Sequence, residues 1–190
     1  MNKETATIKC EALFNKDKTH RYALTKSWGD DSKPFAVVIS ICPSVDYNIK
    51  TDLTCQLVTN NLYALGFSGF TLLNLFSKVG TDFKKVSNTA DLYDKETDKM
   101  ILSACEAADI IILAWGKISG KSKEIGKRAS EVISMLAPYA EKMNFISDDS
   151  GRSELHPLTP SLRYSWNFSK YSLETEIPSG DWSGEIQPEQ

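Results

Sequence analysis

Three nearly unbroken apolar runs constrain this chain most: "FAVVISI" (35–41), "GFTLLNLF" (69–76) and "IIILAWG" (110–116). Each has the length of a strand and none alternates apolar with polar. A strand with that pattern is covered on both faces, which is the condition of a parallel sheet between helices. The segments between the runs supply the helices. "LTCQLVTNNLYALGF" (53–67) places Leu53, Leu57, Val58, Leu62 and Leu65 at helical spacing, with Gly66 as a stop signal. "ETDKMILSACEAAD" (96–109) and "SGKSKEIGKRASEVISMLAPYA" (119–140) read as two further helices, and "MNFISD" (143–148) as a last strand. The alternation predicts an α/β fold, three-layer αβα, with a mostly parallel central sheet of about four strands. Ahead of it, "TIKCEALFNKDKTHRYALTKSW" (7–28) reads as a β-hairpin around the turn "NKDKTH".

A length of 190 residues fits one domain: the hairpin (7–28), an α/β core (33–168) and an acidic tail (174–190) expected to be extended or partly disordered. The net charge of −3 and pI near 5.5 exclude a surface that is basic all over, but leave room for a local basic patch. The four cysteines, Cys10, Cys42, Cys55 and Cys105, form no Cys-x-x-Cys pair. They read as reduced core residues, and no metal or cofactor is implied. The first residues hold no apolar signal core, and no run approaches the roughly 18 apolar residues of a membrane span. The expectation is a cytoplasmic protein with no membrane partner.

In an open parallel sheet, ligands collect at the carboxyl ends of the strands. Those ends carry Cys42-Pro43-Ser44, Asn74, Trp115-Gly116-Lys117 and the loop "GRSELHPLTPSL" (151–162). Asn74 stands out because a carboxamide in an apolar strand costs about 1–3 kcal/mol if it is left unpaired. Either the protein satisfies it or a ligand does. His156 is one of two histidines, the other being His20, and sits in a loop stiffened by Pro157 and Pro160. It reads either as a donor held at a site or as a turn histidine bonded to backbone. Asp46 and Asp52 follow the first core strand. Either could position a water, but Asp52 immediately precedes a helix and suits an N-cap better. Lys117, Lys121, Lys123, Lys127 and Arg128 surround a helix start and read as an anion site or as a solvated face. "GKISGKS" is one residue short of a Walker A loop, and no Gly-x-Ser-x-Gly occurs.

Taken in order, "THRYALTKSW", "CPSVDYNIKTDLT", "GFTLLNLFSKVGTD", "IILAWG" and "HPL" resemble the bacterial and phage family catalogued as domain of unknown function 1643, over roughly residues 8 to 165. The stretches "VVISICPSVD", "FTLLNL", "IILAWGK" and "HPLTPSL" are more distantly similar to the uracil-DNA glycosylase superfamily. That likeness implies a glycosylase-like fold. It implies that Asn74 reads a base edge as both donor and acceptor, and that His156 stabilises the departing base. Pro43, Ser44, Trp115 and Lys117 would line the substrate. Cys42 stands where the best-known glycosylases have the water-activating aspartate, so Asp46 or Asp52 takes that role, the water is held differently, or the classical reaction is absent.

Two function classes follow. One is hydrolysis of an N-glycosidic bond to a nucleobase in a nucleotide or nucleic acid, with Asp46 and His156 as catalytic residues. The other is a non-catalytic nucleotide or nucleic-acid binder, or a phage- or defence-related interaction protein, for which Cys42 and the acidic tail speak. Phe67, Phe70, Tyr47 and Trp115 are the candidates for an aromatic wall.

Overall fold

The computed structural model describes residues 1–29, 32–45, 49–83, 88–118 and 122–172. Seven strands form one mixed sheet: β1 (Lys9–Phe14), β2 (Arg21–Ser27), β3 (Phe35–Ser40), β4 (Gly69–Asn74), β5 (Ile110–Leu113), β6 (Met143–Ser147) and β7 (Asn167–Lys170). Their spatial order is β1-β2-β4-β3-β5-β6-β7. Four adjacent strands, β4, β3, β5 and β6, are parallel, as the apolar runs predict. The hairpin is no appendage, because β2 pairs antiparallel with β4 and extends the same sheet. At the far edge β7 pairs antiparallel with β6, a strand the sequence reading did not foresee.

Three α-helices are described: α1 (Leu53–Ala64), α2 (Lys95–Ala107) and α3 (Lys123–Met135). Side chains along each strand alternate between two cores. Val37, Ile39, Ile111, Leu113, Met143 and Phe145 pack with Ile101 and Cys105 of α2 and Ile125, Ala129 and Val132 of α3. Ala36, Val38, Phe70, Leu72 and Ile112 pack with Cys55, Val58 and Leu62 of α1, and with Leu162 and Trp166. So α1 covers one face and α2 with α3 the other. The chain leaves β3 for the first face, but leaves its neighbours β4 and β5 for the second. Adjacent strands that send their chains to opposite faces open a crevice at their carboxyl ends.

Local chemistry explains most boundaries. Asp52 caps α1, its Oδ1 accepting from Cys55 N–H at 2.7 Å, as expected. Asp94 and Thr97 form a reciprocal capping box on α2. The helix expected over 119–140 is shorter. Its described part starts after the cap Ser122 and closes at Leu136, and a 3₁₀ segment, Ala137–Lys142, follows with Pro138 in its first turn. Proline has no N–H to continue the ladder. Gly69 lets β2, β4 and β3 come together. A Cβ there would lie 2.5 Å from the Lys26 carbonyl oxygen and 2.7 Å from Phe35 Cε2. None of the four cysteines is in a disulfide, and Cys55 and Cys105 are buried. Among the described residues no helix is long and apolar enough to cross a membrane.

Candidate functional site

Asn74 is the last residue of β4 and is 3% exposed. It pairs with Ser40, the last residue of β3, and pairing continues beyond it through Leu75 N–H to Ser40 O (2.8 Å). On the other side of β3, Leu113 pairs with Ile39 and Ala114 N–H donates to Ile39 O. Asn74, Ser40 and Ala114 thus stand in one row across three strand ends. Parity puts all three on the α1 side, since Leu72, Val38 and Ala114 itself belong to that core. At two strand spacings the row spans about 10 Å.

Two residues beyond Ala114, Gly116 packs against His156. Gly116 has φ +76°, and a Cβ on it would come within 3.2 Å of His156 Cβ, so the glycine admits the histidine. His156 Nδ1 accepts from Leu158 N–H at 3.1 Å. An imidazole nitrogen that accepts carries no proton, so the neutral ring holds its proton on Nε2. Pro157 beside it is buried. Glu154, two residues earlier, has φ 56°, a left-handed conformation that a glutamate adopts at some cost.

Asp148 holds this loop. Its Oδ1 accepts from Ser150 N–H, Ser150 Oγ and Arg152 N–H; its Oδ2 accepts from Arg152 Nε (2.9 Å), Arg152 Nη2 (2.6 Å) and Ser161 Oγ (2.8 Å). These partners fall on both sides of His156. Hydrogen bonds from Ser150 and Ser161, with those from Arg152, hold the Asp148 carboxyl well below the usual carboxylate range. A depressed carboxylate contributes stability that is complete above its unfolded-state pKa, about 4, and is lost as pH falls below it. Asp148→Asn should therefore lower the melting temperature at pH 7, with the difference from wild type shrinking below about pH 4. Amide exchange over 148–162 should quicken in the variant. Equal exchange in both proteins would mean that the loop is held by something else.

The opening residue of β2 brings in a group the sequence reading did not single out. On β1, Leu13 pairs with Ala23 and Phe14 with Arg21, so Tyr22 is an extra residue, a β-bulge. Tyr22 OH reaches Asp94 at the start of α2 (2.9 Å), and Ala23 lies in the same core as α2. Without the bulge Arg21 would share the face of Ala23. With it, Arg21 turns to the α1 side and Nη2 donates to Asn74 Oδ1 at 3.4 Å. Arg21 is 2% exposed. The carboxamide that was expected to offer donor and acceptor thus has its oxygen turned to Arg21. Its Nδ2 donor has no partner among the described residues.

The remaining expected residues divide. Pro43 is buried and its carbonyl accepts from Gly80 N–H at 3.4 Å; Ser44 is half-buried beside it. Lys117 is exposed at the β5 end. Trp115 packs into the core under α2 and α3, on the face opposite Asn74. Phe70 is buried under α1, and Phe67 meets Phe168 edge-on. Asp46 and Tyr47 lie outside the described residues, as do Lys121 and the tail 174–190. Arg128 does not face solvent. It bonds Asp98, donates Nε–H to Leu75 O at 2.9 Å, and lies 3.8 Å from the Tyr93 ring centroid. His20 is engaged by Ser77 Oγ at 2.8 Å. Burial pushes the Cys42 thiol up in spite of Arg21 nearby, so it stays protonated at neutral pH and cannot take a proton from water. Among the described residues no three His, Cys, Asp or Glu side chains gather as a metal ion would require. A surface depression of about 460 Å³ opens beside Leu53 and Leu57 of α1, with Arg163 and the exposed Tyr164 on its rim.

The family described as "Protein of unknown function (DUF1643)" matches residues 21–158, and the chain belongs to that family. No curated protein and no solved structure matches it. The matched span begins at Arg21 and ends just beyond His156, and so takes in every residue of the row described above.

Proposed function

We propose that the crevice at the ends of β4, β3 and β5 binds a nucleobase and that the protein hydrolyses its N-glycosidic bond, in a nucleotide or nucleic acid. The fold is then of the three-layer, uracil-DNA glycosylase-like kind. One observation carries the reading: His156, whose Nδ1 accepts from Leu158 N–H, packs on Gly116 just past the row of strand ends that holds the buried carboxamide Asn74. A base between them would meet Asn74 Nδ2–H on one edge. Negative charge developing as the glycosidic bond breaks would be met by His156 Nε2–H. Asp46 remains the proposed water-positioning acid, since Asp52 is committed to the α1 cap and Cys42 cannot serve. Arg163 and Tyr164 offer a cation and a stacking ring for a flanking strand.

The protonated Cys42 thiol favours a second reading, a binder of the same ligand without hydrolysis. Base release separates the two. Wild-type protein is incubated with nucleosides, nucleotides and oligonucleotides carrying modified bases, and free base is measured by chromatography. Release that depends on His156 supports hydrolysis. Tight binding without release supports the binder.

A further inference from the structure

Arg21 has more donors than the protein satisfies. Nη2 reaches Asn74 Oδ1, but Nε and Nη1 are buried and have no partner among the described residues. Arg128 shows how the same protein treats a buried guanidinium when the role is structural: a carboxylate, a backbone carbonyl and an aromatic face surround it. Arg21 donates one long bond to a neutral amide. The ionisable groups near enough to act on it are Asp52, Cys55, Cys42 and Cys10. Asp52 is the only carboxylate of the four. Its Oδ1 is occupied by Cys55 N–H, and it forms no ion pair with Arg21. Burial keeps the Cys42 and Cys55 thiols neutral. The amino end of α1, immediately after Asp52, adds positive potential on the same side. Three donors in this corner have no partner among the described residues: Arg21 Nε–H, Arg21 Nη1–H and Asn74 Nδ2–H.

We propose that Arg21 and Asn74 form a binding site for an oxyanion, a carboxylate or phosphate group. Each of these donors lacks an acceptor, and a negative one would also balance the guanidinium. The bulge at Tyr22 serves this site by turning Arg21 off the α2 side and onto the row of strand ends. The site goes beyond the glycosidic reading and stands whether or not the protein cleaves anything.

Thermal melts of the full chain test it, in sodium chloride, acetate and phosphate at equal ionic strength. A site of this kind raises the melting temperature by about 5–10 °C at anion concentrations near a hundred times Kd, relative to chloride. Response to acetate or to phosphate names the group. Arg21→Met should melt at or above wild type in chloride, because an uncompensated buried charge is gone, and should show no anion response. The same response in Arg21→Met, or none in wild type, overturns the proposal. Should Arg21→Met fail to fold, the wild-type Arg21 Nε–H resonance decides. It moves on titration with the responding anion if the site is real, and an unmoved signal overturns it. No base release is measured in any arm, so loss of the glycosidic reading leaves this result intact, and the reverse.

Discussion

Asp98→Ala should destabilise the fold by about 3 kcal/mol, one of the largest effects expected of any single side chain here. Arg128 is 3% exposed, and Asp98 is its closest counter-charge. Removing one partner of a buried ion pair typically costs 3–5 kcal/mol, because the other charge is left uncompensated. The lower end applies, since Asp98 is itself 32% exposed and Glu131 remains 3.7 Å from Arg128 Nη1. Arg128→Met in the Asp98→Ala background should restore part of the loss, having removed the stranded charge. The restoration stays partial because the Leu75 carbonyl loses its donor. Urea unfolding of the two single variants and the double variant gives the coupling. Additive losses would mean that the pair is not a unit. Leu75 follows Asn74, so the same variants should also loosen the β4 end, visible as faster amide exchange at residues 74–76.

What the sequence disclosed and what it hid follow from how local each feature is. The four parallel strands were legible because a strand buried on both faces must be apolar at nearly every position. The Asp52 cap was legible because capping needs only the next three residues. β7 was not. "NFSK" is four residues long and partly exposed, and its strand character comes from β6. Arg128 was misjudged with the lysines around it, although it sits at helical spacing with Ile125, Ala129 and Val132, on the stripe that faces the core. Arg21 was hidden for a better reason. Period-two alternation puts it on the face of Ala23, and only the pairing of β1 with β2, one residue out of step at Tyr22, turns it to Asn74. Position in sequence located the row of strand ends, but which way Arg21 and Trp115 point depends on packing.

His156→Ala should lower base release by about 100-fold or more while shifting the melting temperature little by comparison, since a donor aimed at developing negative charge acts mainly on the transition state, and Asn74→Ala should lower release by removing the donor to the base edge. Asn74 needs a control, because its oxygen faces Arg21 and its loss would strand that charge further. Asn74→Asp supplies one. It keeps an acceptor for Arg21 and removes the Nδ2 donor, so it should remain folded and yet be inactive toward a base read through that donor. Asp52→Asn should be mild, as asparagine also caps a helix. Cys42→Ser should be tolerated, because the thiol is protonated and is not the acid in this scheme. Asp46→Asn should be as severe as His156→Ala if Asp46 holds the water. Release rates and melting temperatures measured on the same variants separate chemistry from folding. A binder would show no release from wild type on any substrate, and Asn74→Ala would weaken only its binding. Wild-type release that survives both His156→Ala and Asn74→Ala would place the reaction elsewhere than the ends of β4, β3 and β5.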